Sequence, residues 1–114
     1  MMPRKPARGW ISGVAVLTST AGAGSGCGVS CTGWGEYFIR NAVAHDVAAR
    51  VAYLQVGVQA AAAQVIHGTL EEQRPGLGGL VALDTDGTVV MEFSTAGMYR
   101  GWVDQDGTKV AAIY

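Results

Sequence analysis

Apolar residues recur at helical spacing through the middle of the chain, and this spacing predicts two helices. In segment 36–54 they return every three or four positions, the interval that forms one apolar helix face. The residues of this stripe are Ile39, Val43, Val47, Val51 and Leu54. Acid–base pairs four positions apart support the same helix, namely Glu36–Arg40 and Asp46–Arg50. A second helix is predicted over 58–67, where four consecutive alanines favour helix and permit close packing.

Short apolar runs bounded by turn residues predict strands on both sides of these helices. Segment 28–32 lies between glycines and is predicted as a buried strand. After a predicted loop over 71–79, segments 80–84 and 89–93 flank Thr-Asp-Gly-Thr, a strong hairpin signal. A further strand is predicted over 109–114. The order of these elements predicts an α+β fold, with two helices packed on a mainly antiparallel sheet.

Composition and charge exclude several classes of function. The chain has 114 residues, enough for one domain, and its formal net charge of −1 provides no basic field for nucleic acid. Segment 9–35 carries no charge, and the basic start before an apolar run at 10–17 is typical of a secretory signal. Export is therefore one alternative. Glycines interrupt this stretch too often for a membrane-spanning helix, and we favour a glycine-rich loop in a cytoplasmic protein.

The cysteines and histidines do not form a recognisable metal or disulfide pattern. Cys27 and Cys31 are four positions apart, about 13 Å along a strand, whereas a disulfide requires Cα atoms within about 7 Å. His45 and His67 lack the spacing of zinc ligands. The glycines of 22–28 fit no nucleotide-binding motif. We therefore expect two buried thiols, no metal and no cofactor.

The segment Ser-Cys-Thr-Gly-Trp-Gly-Glu, residues 30–36, is the most specific in the chain. A strand ends here in a hydroxyl residue, and two glycines lead into a helix. Backbone N–H groups at such a turn carry partial positive charge, and glycine lets a substrate approach them closely. The turn could hold a carboxylate or a developing oxyanion. The alternative is a structural turn in which Thr32 caps the helix.

Four segments together give this chain a family resemblance. They are CTGWGEYFIR, VAHDVAAR, GLGGLVALDTDG and FSTAGMYRGW, in this order. From about residue 29 to residue 114 the chain resembles the β-subunit of plant-type L-asparaginases, or isoaspartyl peptidases, which are N-terminal-nucleophile hydrolases. The resemblance implies a four-layer αββα sandwich, of which this chain is one part.

The resemblance also implies an activity and partners. The family precursor cuts itself into α and β chains, and the new N-terminal threonine of β is the nucleophile, with its own amine as the base. The active form is a dimer of αβ units. Its substrates are asparagine and β-aspartyl dipeptides, so the expected partners are an α-subunit, another β-subunit and such a small molecule, without nucleic acid or membrane.

Matching the motifs implies roles for four residues. Thr32 corresponds to the threonine that helps to form the oxyanion hole, and Gly33 to its neighbour, which supplies a backbone N–H. Gly35 corresponds to a glycine that contacts the amino-acid end of the substrate. Lys-Pro-Ala-Arg at the start resembles the family's Lys-x-Pro-Gly-Arg, so Arg8 would hold the substrate α-carboxylate, a role that suits a bidentate guanidinium.

The chain departs from the family pattern in two places. The family reads Val-Gly-Asp-Ser-Pro after the arginine, but this chain reads Gly-Trp-Ile-Ser-Gly, which places Ile11 where the aspartate stands. Segment 9–28 diverges throughout. The family's Thr-Val-Gly strand with the nucleophile precedes the arginine and has no counterpart here, and the Gly-Thr pairs ending at Thr69, Thr88 and Thr108 stand in other contexts.

We therefore expect residues 1–114 to be a single partial domain, the C-terminal part of a β-subunit. It would keep the oxyanion hole and be inactive alone because the nucleophile and the α-subunit are absent. The alternative is a non-catalytic module that uses the same half-fold to bind a partner chain or a small amino acid.

Overall fold

The chain folds into a four-stranded antiparallel sheet, a helical layer and a separate two-stranded hairpin. The computed structural model describes residues 26–114 and the backbone of one strand upstream, so Arg8 and most of the divergent segment 9–28 lie outside the described residues. The strands are β1 (Gly13–Leu17), β2 (Cys27–Gly33), β3 (Gly78–Asp84), β4 (Val89–Phe93), β5 (Arg100–Val103) and β6 (Lys109–Ala112). The helices are α1 (Gly35–Arg40), α2 (Val43–Tyr53), α3 (Val58–Gln64), a π-helical segment (Val65–Leu70) and α4 (Glu71–Gln73).

The larger sheet has the strand order β1-β2-β3-β4, with every neighbouring pair antiparallel. β2 pairs with β3 along its whole length, from Cys27 opposite Asp84 to Gly33 opposite Gly78. β5 and β6 form the separate hairpin. The predicted α+β fold and antiparallel pairing are confirmed. Each of the four predicted strands is also present, with ends that differ by at most two positions. β5 was not predicted, and neither was β1, which lies in the stretch that was predicted as a glycine-rich loop.

The turn between β3 and β4, which the hairpin motif predicted, is closed by the side chain of Asp84. Asp84 Oδ1 accepts hydrogen bonds from the N–H groups of Asp86, at 2.9 Å, and Thr88, at 2.8 Å. Gly87 has φ +85°, a conformation that glycine adopts without strain. These contacts fix the length of the turn and therefore the register of the two strands.

The prediction of one helix over 36–54 is wrong, because the chain breaks between α1 and α2. Ala42 has φ +47°, which ends the first helix and starts the second in a new direction. Asn41 holds this break, since its side-chain amide donates to the carbonyl of Tyr37 at 2.8 Å and exchanges two hydrogen bonds with the amide of Gln73. The predicted Asp46–Arg50 pair is present at 3.0 Å.

The second predicted helix is longer than expected. Helical structure continues from α3 through the π-helical segment into α4, so residues 71–73, predicted as a loop, are helical. Ala61 and Ala62 are completely buried, which confirms the close packing expected of the alanines. Ile66 and Leu70 project from the π-helical segment into the same core. Within the part of the chain that the structure describes, no helix has the length and apolar character needed to cross a membrane.

The two faces of the sheet differ in what covers them. Side chains on one face pack against the helices, and those of the described strands are Cys27, Val29, Cys31, Leu80, Ala82 and Val90. Alternate residues point to the opposite side, which we call the outer face. On it Val81, Leu83 and Val89 are 38%, 51% and 44% exposed, and Trp102 of β5 borders the same surface. This face is apolar, and the hairpin β5–β6 covers it only in part.

Both cysteines lie in the core between β2 and the helices, as free thiols. Burial raises the pKa of Cys31 from 9.0 to about 11, and burial followed by the charge of Asp84 raises the pKa of Cys27. Folding therefore opposes ionisation, and the chain is expected to lose stability as pH rises from 9 to 11. Melting temperatures across this range test this. The melting temperature of the Cys31→Val variant is expected to fall less steeply with pH than that of the unmodified chain. Parallel curves would show that Cys31 is not the source of this pH dependence.

Candidate functional site

Thr32 and Gly33, at the end of β2, line a cleft of about 520 Å³ on the outer face. The first two residues of β3 form its floor, and the loop that follows β4 forms the opposite wall. Its lining residues are Thr32, Gly33, Gly78, Gly79, Thr95, Gly97, Met98, Tyr99 and Ile113. The residues predicted as an oxyanion hole thus border a cleft that is formed by four separate segments of the chain.

The strand register explains why the hydroxyl of Thr32 is accessible. Alternation along β2 directs Cys31 to the helices and Thr32 to the outer face. The residue opposite Thr32 is Gly79, which has no side chain to cover it. Within residues 26–114 the side chain of Thr32 forms no hydrogen bond. Its hydroxyl therefore remains able to donate to a ligand.

Gly33 and Gly78 face each other where β2 and β3 approach most closely. Gly33 has φ +137° and Gly78 has φ +152°. A Cβ on Gly33 would lie 2.2 Å from the carbonyl oxygen of Leu77, and one on Gly78 would lie 2.2 Å from that of Thr32. Both positions therefore require glycine for conformation and for space.

The backbone N–H of Gly33 is directed away from β3. The next residue, Trp34, donates its N–H to the carbonyl of Leu77 at 2.9 Å. Because hydrogen-bonded and non-hydrogen-bonded pairs alternate in an antiparallel ladder, Gly33 and Gly78 form a non-hydrogen-bonded pair. The N–H of Gly33 is thus not used in the β2–β3 ladder.

The loop after β4 is fastened to the floor of the cleft and to the end of the chain. Ser94 donates its N–H to the carbonyl of Gly78 at 2.8 Å and its hydroxyl to the same oxygen at 3.1 Å. Thr95 donates its hydroxyl to the carbonyl of Gly97 at 2.8 Å. Met98 donates its N–H to the carbonyl of Ile113 at 2.6 Å. These bonds hold the second wall in a defined position.

This wall was missed at the sequence level. Its segment, FSTAGMYRGW, contributed to the resemblance but suggested no site residue. The available signal was Gly97, where a Cβ would lie 2.6 Å from the carbonyl oxygen of Ile113. A glycine between polar and apolar residues indicates a close backbone approach, but it does not show which segment approaches.

The other two predicted site residues do not line the cleft. Gly35 is buried as the first residue of α1, behind the turn that carries Thr32 and Gly33. The intervening Trp34 anchors this turn, because the guanidinium of Arg74 lies 4.4 Å from its ring and Tyr37 contacts it edge-on at 6.3 Å. Arg8 lies outside the described residues.

The cleft is lined without carboxylates or basic side chains, and Tyr99 is its one ionisable lining residue among those described. No group of three potential metal ligands occurs in the part of the chain covered by the structure. His67 pairs instead with Glu92 at 2.9 Å, on the side of the sheet that carries the helices. Hydroxyl and backbone dipoles are therefore what this cleft offers to a polar ligand.

Comparison with known proteins shows which proteins this chain is similar to. A family model described as asparaginase matches residues 6–113. The chain is 43% identical over 88 residues to the probable isoaspartyl peptidase/L-asparaginase 2 of Arabidopsis thaliana, covering 77% of this chain and 26% of that protein. It is 40% identical over 101 residues to the isoaspartyl peptidase of Escherichia coli K12, covering 80% of this chain and 30% of that protein.

A third relative extends the range of organisms. The chain is 41% identical over 75 residues to the putative isoaspartyl peptidase/L-asparaginase of Dictyostelium discoideum, covering 66% of this chain and 21% of that protein. The chain thus spans less than a third of the length of these curated relatives. The matched region contains both walls of the cleft and nearly the whole chain. The chain belongs to the asparaginase family.

Proposed function

We propose that residues 1–114 supply the oxyanion-hole part of a hydrolase that cleaves the side-chain amide of asparagine or β-aspartyl peptide bonds. Thr32 would donate its hydroxyl, and Gly33 its N–H, to the oxyanion of the tetrahedral intermediate. A threonine nucleophile outside these residues would attack the carbonyl. The observation that carries the proposal is that the Thr32 hydroxyl has no hydrogen-bond partner within residues 26–114 and borders a cleft whose described lining includes no carboxylate or basic side chain.

Charge development explains why a cleft of this kind suits amide hydrolysis. The substrate carbonyl is neutral, and its oxygen becomes negative only as the nucleophile adds. Fixed hydroxyl and N–H dipoles stabilise that charge without binding a ground-state anion strongly. Arg8 would hold the substrate α-carboxylate at a distance from the reacting carbonyl, and Gly35 would position the turn or the amino-acid end of the substrate.

The exposed outer face indicates where the remaining parts of such an enzyme would dock. Val81, Leu83 and Val89 form an apolar surface on the same side of the sheet as Thr32. A second sheet, to which β5 and β6 would belong, would complete an αββα sandwich and bring a nucleophile to the cleft. An α-subunit and pairing of αβ units complete this proposal, and the cytoplasmic location stays a prediction of the sequence.

A chimera tests the proposed function. Residues 29–114 replace the matching segment of the Escherichia coli isoaspartyl peptidase, and ammonia release from L-asparagine is measured. The chimera is expected to be active, whereas the 114-residue chain alone is expected to release no ammonia above a buffer blank. Within the chimera, Thr32→Ala is expected to lower kcat by roughly ten- to a thousandfold, the scale of one oxyanion-hole donor.

The matched control for this variant is Ser30→Ala. Ser30 is a hydroxyl residue on the same strand and the same face, but it does not line the cleft. This control is expected to retain the activity of the chimera, and Thr32→Ser is expected to restore most of it. Equal kcat in Thr32→Ala and Ser30→Ala would refute the oxyanion-hole assignment, and turnover by the isolated chain would show that a nucleophile lies within it.

A further inference from the structure

The second threonine of the cleft, Thr95, differs from Thr32 in how the proton of its hydroxyl is used. Thr95 donates to the carbonyl of Gly97 at 2.8 Å, within its own loop. A hydroxyl has one proton to donate and two lone pairs that accept. With its proton committed to Gly97, Thr95 offers the cleft only an acceptor, whereas Thr32 offers a donor.

We propose that Thr95 is a specificity-determining residue that accepts a hydrogen bond from the N–H of the scissile amide. This inference rests on the proposed function. A carboxamide presents an acceptor oxygen on one side of its carbon and an N–H donor on the other. Thr32 on one wall and Thr95 on the opposite wall present the complementary pair, a donor and an acceptor. The cleft therefore selects amides over esters, whose alkoxy oxygen has no proton to donate.

The structure of the loop keeps the Thr95 hydroxyl in the orientation in which it donates to Gly97 and can accept from a ligand. Ser94 and Met98, on either side of Thr95, are bonded to Gly78 and Ile113 and hold the loop at both ends. Gly97 has no space for a side chain, so its carbonyl stays where Thr95 reaches it. Rotation of the Thr95 hydroxyl toward the cleft would leave the Gly97 carbonyl without this bond, which is unfavourable for a half-buried group.

The test compares two substrates that differ in this one group. The chimera described above and its Thr95→Val variant are assayed with L-asparagine and with the β-methyl ester of L-aspartate. Valine has the shape of threonine but accepts no hydrogen bond. The ratio of kcat/KM for the amide to that for the ester is expected to fall about threefold to tenfold, the value of one neutral hydrogen bond.

The ester serves as the control for a structural effect. A role of Thr95 in loop geometry alone would lower kcat/KM for both substrates equally and leave their ratio unchanged, which would overturn the inference. Thr95→Ser is expected to restore the ratio. Thr32→Ala is expected to lower kcat/KM for both substrates. The proposed function is therefore tested by Thr32→Ala, separately from the test of Thr95.

Binding provides the readout if the chimera turns over neither substrate. L-asparagine and the β-methyl ester are then titrated into the 114-residue chain and its Thr95→Val variant, and dissociation constants are measured by calorimetry or nuclear magnetic resonance. A threefold to tenfold loss of preference for the amide in the variant supports the inference. An unchanged preference overturns the inference, and so does a lack of binding by either molecule, whereas the proposed function is judged separately by the activity of the chimera.

Discussion

Gly33→Ala is expected to destabilise the folded chain by at least about 3 kcal/mol. A non-glycine residue at φ +137° is strained by about 1–3 kcal/mol. In addition, its Cβ would lie 2.2 Å from the carbonyl oxygen of Leu77 and 2.8 Å from the Cα of Gly78. Relief requires separation of β2 from β3 at the cleft. Urea denaturation followed by circular dichroism measures the loss.

Gly28→Ala is the control for this variant. Gly28 lies on the same strand, and a Cβ added there would meet no atom within 4 Å. The substitution is expected to leave stability unchanged or to raise it by a few tenths of a kcal/mol, because alanine restricts the unfolded chain. Equal unfolding midpoints for the two variants would show that the close approach of Gly33 to β3 is not a structural requirement.

Ile66→Ala is expected to cost about 2–5 kcal/mol, the usual range for removing a large aliphatic side chain from a core. Ile66 is completely buried, between the sheet and the helices. Ile39→Ala is the matched control, since Ile39 is 63% exposed on α1. Its change is expected to stay within about 0.5 kcal/mol. The thermal unfolding of both variants provides the comparison, and similar losses would contradict the placement of Ile39 at the surface.

The position of Ile39 also shows why the helical stripe was predicted only in part. Val43 and Val47, in its centre, are buried as the spacing indicates, but Ile39 and Leu54, at its ends, are 63% and 62% exposed. The break at Ala42 rotates α1 relative to α2, so a single 3.6-residue period does not describe both. Asn41 and Gln73 stabilise that break from positions 32 residues apart. No local pattern contains such a contact.

Turns and strands were easier to predict because their causes are local. The Thr-Asp-Gly-Thr turn is stabilised by hydrogen bonds to Asp84, and the short apolar runs on both sides of it specify β3 and β4. β5 was missed because it has four residues and a glycine in its interior, which weakens any alternating pattern. The length of the second helix was underestimated, since Gly68 and Thr69 are poor helix formers that tertiary packing keeps helical.

Only half of the cleft could be predicted from the sequence, because the other half depends on contacts between distant segments. Thr32 and Gly33 stand in a strand-to-turn motif that a reader of the sequence recognises without the fold. Gly78, Thr95 and the loop around them reach the cleft only through the register of β2, β3 and β4. That register depends on side-chain packing across the whole sheet. The sequence therefore indicates one wall of the cleft and leaves the other to the structure.

The pairing of β2 with β3 has a consequence for the order in which the chain folds. Cys27 pairs with Asp84 across all the helices between them, whereas β3 and β4 pair across one short turn. Closing a long loop costs more entropy than closing a short one, and contacts distant in sequence slow folding. The β3–β4 hairpin and the helices are therefore favoured to form early. The cleft, which needs β2 beside β3, comes into existence only at the late step.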